Sequence, residues 1–259
     1  MKYLYFLIGL SIMFNSCKEK DQKTQKEEQS PLEKRSFIQP IQDNLAAHGG
    51  LELWDSFSLL KFNRPTDKGV VRHLVDLKRR NEIISKDSAY TVGYLDNKTW
   101  VLPDSSSFTN ARFFKNLHFY FFALPFMSAD EGVFHEDLGQ KQFNGKLYNM
   151  VKLSYGKNIG DSPEDRYILY INDETKLLDM INYSVTYFDQ SKGEKYNAII
   201  YDSWQTINGL VLPKSFSGYK WENDSIGDKR YDNIIEQVEF DSKPLNLDTF
   251  KAPENAYIE

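Results

Sequence analysis

The chain has a single cysteine, Cys17, in 259 residues. No disulfide framework can form within one molecule, so a packed core must carry the stability. Histidine is scarce too: His48, His73, His118 and His135 are the only four, and none lies two or four positions from another. That spacing excludes a zinc-binding helix of the His-Glu-x-x-His kind. The sequence also lacks a Gly-rich phosphate loop, a calcium-loop spacing and a dinucleotide fingerprint, and it has no Gly-x-Ser-x-Gly elbow. No cofactor and no metal are therefore expected. An excess of positive charge is missing as well, with 32 Lys and Arg against 37 Asp and Glu. Duplex binding rests on clustered basic residues that neutralise phosphates, so no nucleic-acid partner is expected.

What is present begins at the first residue. Lys2 is followed by an apolar stretch, Tyr3 to Phe14, and then by Asn15-Ser16-Cys17. A basic start, an apolar core of about a dozen residues and a small residue before the cut describe a secretory leader over residues 1–16. At ~1.5 Å per residue such a core spans ~18 Å of helix, too short for a ~30 Å bilayer. A lone cysteine at that boundary resembles the lipobox of bacterial lipoproteins, whose thiol is acylated before the leader is removed. Phe14 departs from the pattern, since that place usually holds Leu or Val. The resemblance implies attachment to a membrane through lipid on Cys17 and an address in the cell envelope, at the outer membrane. Residues 17–35 then read as lipidated cysteine and tether, because KEKDQKTQKEEQSPLEKR has too little apolar content to offset ordering entropy. Charged residues after such a cysteine also resemble the surface-export signals of Bacteroidota lipoproteins.

Residues 36–259 read as one domain, with no internal repeat and no linker. Ile38, Ile41 and Leu45 recur at helical spacing between Ser36, a suitable N-cap, and the stop at Gly49-Gly50. Beyond Trp54 the period falls to two. Strands are expected over Ser58–Asn63, Gly69–Leu77, Arg80–Lys86, Ala89–Leu95 and Lys98–Leu102. A second group runs Val133–Leu138, Lys146–Tyr155, Asp165–Asn172, Leu177–Phe188, Glu194–Trp204, Leu210–Trp221 and Tyr231–Phe240. Asp96-Asn97, Asn144-Gly145 and Asn208-Gly209 supply hairpin turns. Between the two groups, Ser107 to Ala123 is helical in pattern and apolar on nearly all sides, closed by Leu124-Pro125. The 18 Phe, 16 Tyr and 4 Trp, spread over these short segments, suit a β-rich domain. Ten to twelve antiparallel strands cannot stay flat, because twist accumulates. The expected fold is α+β and mostly β: one curled sheet, a half-barrel, around one or two apolar helices.

Three stretches carry a family resemblance. They are Ala47-His48-Gly49-Gly50 with Trp54, the RYILYINDETKLL hairpin from Arg166 to Leu178, and Ile207-Asn208-Gly209-Leu210-Val211-Leu212-Pro213. Together they resemble the lipoprotein-carrier half-barrel of the LolA/LolB type. His118 to Asp130 and Tyr148 to Tyr155 are similar to an uncharacterised family of Bacteroidota lipoproteins. The resemblance implies an antiparallel sheet wrapped around helices that encloses an apolar hollow, and it carries over no catalytic residue.

Searching the residues themselves for chemistry turns up little. The acid pairs Asp130-Glu131, Glu136-Asp137, Glu164-Asp165 and Asp173-Glu174 fall in turns or alternate across strands, which suits solvation better than a glycosidase cleft. The aromatic segment Phe113 to Phe126 supports two readings: core, or the lining of a hollow for an acyl chain or other apolar ligand. Under the second, Trp54, Trp100, Phe119, Phe122 and Phe126 line it. Three functions stay open. The first is a non-enzymatic, membrane-tethered protein that binds a lipid or acyl chain. The second is a structural or interaction protein of the envelope with a filled core. The third is a hydrolase whose site is assembled from distant strands.

Overall fold

The computed structural model describes residues 35–157 and 159–259. The leader, Cys17 and the tether to residue 34 lie outside the described residues. The chain divides into two units, Met1–Ser36 and Phe37–Glu259, and the architecture below is that of the second.

The second unit opens with helices α1 (Gln39–Ala47) and α2 (Leu51–Asp55). α1 begins after Ile38 rather than Ser36, with a proline in its first turn, where the missing N–H costs nothing. Five strands follow: β1 (Leu59–Thr66), β2 (Gly69–Asp76), β3 (Glu82–Lys86), β4 (Tyr90–Leu95) and β5 (Lys98–Leu102). Helices α3 (Ala111–Phe114) and α4 (Leu117–Met127) come next, then β6 (Val133–Phe143), β7 (Lys146–Tyr155), β8 (Tyr167–Asn172) and β9 (Leu178–Tyr183). The chain ends with β10 (Asn197–Ile207), β11 (Leu210–Glu222), β12 (Ser225–Ile234), β13 (Glu236–Asp241) and β14 (Tyr257–Ile258).

The expected single sheet is divided in two. One sheet has the order β13-β1-β2-β3-β4-β5-β14 and the other β12-β11-β10-β9-β8-β7-β6, seven antiparallel strands each. The run expected as one strand over 231–240 crosses between them at Ile235, which is buried. Its N–H donates to the Lys214 carbonyl at 2.9 Å. The sheets are thus joined edge to edge through one residue and remain open at β6 and β14. The total of fourteen exceeds the expected ten to twelve because of this split and the short β14. The tight turns follow sequence: Asp96-Asn97, Asn144-Gly145 and Asn208-Gly209 all have two successive positive φ angles, as a type I′ hairpin requires.

Both sheets turn one face to α1, α2 and α4. Leu60 and Phe62 of β1, Val151 and Leu153 of β7, Ile181 of β9 and Ile199 of β10 meet Phe119 to Met127 there. The second sheet is apolar on its outer face too, where Tyr148, Met150, Tyr170 and Met180 cluster. The long β6–β7 and β11–β12 hairpins curl over this face until the Lys141 ammonium meets Asp224 at 2.8 Å.

The helix expected over 107–123 is broken and displaced. Asn110 and Asn116 both adopt left-handed φ, 55° and 58°, which interrupts the run before α3 and before α4. α4 then passes through Pro125 instead of ending at it. Proline cannot donate to the carbonyl four residues back, Phe121, which would leave that acceptor orphaned in the core. Tyr201 of β10 donates its hydroxyl to the Phe121 oxygen at 2.8 Å, which repairs the gap. Two expected strands are shorter. β9 stops at Tyr183, where Ser184 and Thr186 turn to Arg166 and Asp165. β3 starts after Arg80, whose φ is 60° and whose guanidinium clamps both Asp130 oxygens at 2.7 and 2.8 Å.

Candidate functional site: a hollow between the two sheets

The three resemblance stretches meet at His48. Its Nδ1 bonds the Val211 carbonyl at 2.7 Å and its Nε2 accepts the Leu178 N–H at 3.2 Å. One ring therefore ties α1 to the start of β9 and to β11. With both ring nitrogens occupied, Nδ1 carries the proton and the imidazole is neutral. Burial pushes its pKa down to about 4. Gly49 has φ +105°, and a Cβ there would stand 2.5 Å from the Gly209 oxygen. The motif is a structural lock.

The five aromatic residues expected to line a cavity are all buried in packed contacts. Trp54 stacks on Phe126 with ring centres 4.5 Å apart, and Phe122 packs on Phe62 at 5.0 Å. Phe119 lies under the Arg80 guanidinium at 5.5 Å. Trp100 is elsewhere, covering Gly93 and donating its indole N–H to the Phe250 carbonyl at 2.9 Å. None of the five borders the hollows that follow.

The hollow between the sheets lies one helical turn earlier. A space of about 580 Å³ is bounded by Phe113, Phe114, Leu117 and Phe121 on the helices, with Arg64 of β1 and Arg230 of β12 among the facing residues. A second space of about 480 Å³ is bounded by Val71, Ile84, Tyr90 and Phe108, and shares Arg64, Phe114 and His118 with the first. Phe113 and Leu117 also border a third, of about 250 Å³, beside the hydrogen-bonded hydroxyls of Tyr120 and Tyr155. α3 and the first turn of α4 thus form a loosely packed plug. Its outer lip is apolar: Phe113 meets Tyr187 and Phe188, and the latter is 61% exposed.

A polar seam crosses this otherwise apolar interior. In β1 the inward positions are Leu60, Phe62 and then Arg64, opposite Val75, His73 and Val71 of β2. His73 stacks on Phe62 at 4.3 Å and its Nδ1 bonds Glu82 Oε1 at 2.9 Å. The other Glu82 oxygen accepts the Asn116 N–H at 2.6 Å, a carboxylate placed at the start of α4 where the helix dipole favours it. Desolvation drives the His73 pKa down despite Glu82, and drives that of His118 well below the ordinary histidine range, helped by the nearby Arg64 charge. His73 Nε2 is buried with no partner, so the Glu82–His73 pair addresses no hydroxyl and makes no triad. Among the described residues, no group of His, Cys, Asp and Glu is arranged to hold a metal ion. Arg64 makes no ion pair with Glu82, although the Glu82 charge acts on it. Burial lowers its pKa to about 10, and its Nε–H is buried with no acceptor.

A further hollow, about 900 Å³, lies on the outer face of the second sheet beneath the curled hairpins. Ten of its sixteen lining residues are polar or charged, which suits an apolar ligand poorly.

The sequence model of a family of unknown function, DUF6503, matches residues 69–208, from β2 to the end of β10. That is more than half of the chain. The chain belongs to DUF6503. No curated protein matches the sequence. Among solved structures, a LolA superfamily protein from Nitrosomonas europaea superposes with a TM-score of 0.50 at 10% identity, covering 84% of this chain and 99% of its own. A DUF1329 family protein from Desulfovibrio piger superposes with a TM-score of 0.47 at 10% identity, covering 82% and 97%. This DUF6503 chain therefore has a LolA-like fold, a half-barrel not closed into a barrel. At such identity the likeness concerns the fold alone.

The segment Phe113 to Phe126 reads from sequence as a candidate lining, whereas Arg64 escaped. The strand was expected to end at Asn63, one residue before the charge that continues its inward phase. Extending the alternation Leu60, Phe62, Arg64 would have found it.

Proposed function

We propose that this chain is a non-enzymatic envelope lipoprotein, held to a membrane by lipid on Cys17, that binds an apolar ligand such as a lipid or acyl chain. The binding site in this reading is the hollow around α3 and the start of α4. One observation carries it: the space lies between the open sheets of a LolA-like half-barrel and is walled by phenylalanines, under an exposed apolar lip. A volume of about 580 Å³ falls within the usual range for small-molecule sites. Residues 1–16 serve as leader and 17–35 as tether. No described helix is long and apolar enough to cross a membrane.

The filled-core alternative draws support from the close packing of Trp54, Phe122 and Phe126. One experiment separates the two. Native mass spectrometry of the full chain, gently extracted, should report a covalent anchor and a non-covalent apolar passenger. A bare chain that also fails to take up the apolar dye Nile red would overturn ligand binding. The tether has its own test: Cys17→Ala should leave the membrane fraction, and unchanged detergent partitioning would contradict acylation.

A further inference from the structure

We infer that the ligand is an amphiphile with a single acidic head, a carboxylate or a phosphate, which docks on Arg64 while its hydrocarbon tail lies along Phe113, Phe114, Leu117 and Phe121. This rests on the reading above that the hollow takes an apolar ligand, and adds what its polar end must be.

One charge stands on an otherwise apolar face. Arg64 occupies an inward position of β1 that the strand otherwise gives to Leu60 and Phe62. A guanidinium withdrawn from water needs a carboxylate or several acceptors to offset lost hydration. Arg64 is half-buried; among the described residues no carboxylate lies within 4.0 Å of it, and its Nε–H is buried without an acceptor. It borders both the hollow of about 580 Å³ and that of about 480 Å³.

Glu82 opposes the Arg64 charge only from beyond ion-pair distance. Glu82 is engaged by His73 and by the Asn116 N–H. Desolvation keeps His73 and His118 uncharged. At the rim, Asp232 is paired with Lys229 and accepts from Ser217. Arg230, on the same wall, adds a second positive charge and donates to Asn197 Oδ1 at 2.6 Å. In the lining of this hollow Arg64 and Arg230 thus outnumber the one carboxylate, Asp232, which is already paired. An anionic head supplies the acceptors and the countercharge together; an alcohol supplies only an acceptor. A planar guanidinium suits carboxylate and phosphate alike by its forked donors.

Palmitate, hexadecanol and hexadecyl phosphate share one tail and differ in the head. Their displacement of Nile red from the full chain in amphipol tests the inference. The two acids should bind at least about ten-fold tighter than the alcohol, which corresponds to ~1.4 kcal/mol. Arg64→Gln should erase that preference and Arg64→Lys should keep most of it. Arg72→Gln, which removes an exposed arginine paired with Asp87 outside the hollow, should change nothing. A preference confined to hexadecyl phosphate assigns the head to a lipid phosphate; one shared by palmitate admits a fatty acid.

Retention of the preference in Arg64→Gln would overturn the inference, and so would equal binding of all three by the unaltered chain. In both cases the tail still binds, so the apolar-ligand reading survives. Failure of every probe to displace the dye would sink that reading itself. Thermal unfolding provides a second readout. A ligand-directed charge is a burden to the empty protein, so Arg64→Gln should melt at or above the parent. A Tm lowered by many degrees would mark Arg64 as structural.

Discussion

The two halves of the aromatic helix region behave as different materials. From Phe122 to Met127 every residue of α4 is buried, and the segment is sealed by Trp54 and by the inner faces of both sheets. From Phe113 to His118 the residues are half-buried and bordered by hollows on several sides. Both halves are rich in phenylalanine. The difference lies in what surrounds them: the first faces close-packed strands, the second faces a separation between sheets and a charge. Apolar side chains at the first are scaffold, and at the second they are wall.

The sharpest way to break this comparison is a pair of truncations. Phe126→Ala should cost roughly 3–5 kcal/mol, since a fully buried ring cannot be replaced by collapse of its neighbours. Phe113→Ala should cost under about 1 kcal/mol while weakening uptake of an apolar probe. Denaturant midpoints check both, and equal losses would erase the distinction.

The next effect concerns His48, at the meeting of α1, β9 and β11. Its folded pKa of about 4 lies below the ordinary 6.5, so the folded state holds it neutral. The associated stability is complete above pH 6.5 and is lost as pH falls toward 4, by roughly 3 kcal/mol in all. His73 and His118, also lowered, act in the same direction. Unfolding free energies measured between neutral pH and about pH 4 should therefore decline. The decline should be shallower in His48→Gln, whose amide can still bridge the Val211 carbonyl and the Leu178 N–H. An unchanged slope would show that His48 protonates freely.

A smaller loss is expected from Tyr201→Phe. Removing one hydroxyl returns the Phe121 carbonyl to the orphaned state that Pro125 creates, at a cost of about 1–2 kcal/mol. A neutral outcome would mean that α4 relaxes around Pro125 without help.

Much of the scaffold was legible in the residues. Two-residue turns such as Asn144-Gly145 announce themselves, because few residues tolerate two successive positive φ angles. Alternation marked the inward face of β9 as far as Tyr183. The division into two sheets was not legible. Over 231–240 the side chains continue to suit a strand, and only the carbonyl of Lys214, waiting for the Ile235 N–H, decides that pairing changes partner there. Which turn of the aromatic helix borders a hollow was not legible for a related reason. Periodicity marks a helix as apolar all round, but it cannot tell which turn meets packed strands and which meets a void.

Residue order alone set the local rules: where the chain turns, which positions are apolar, that the sheet must curve, and that Gly49-Gly50 stops the first helix. These follow from backbone sterics and short-range hydrogen bonding, which a handful of adjacent residues specify. The position of the hollow, the splitting of the sheet and the isolation of Arg64 were decided only by the tertiary structure. Each depends on what stands opposite a residue across the core, and those neighbours come from strands far apart along the chain.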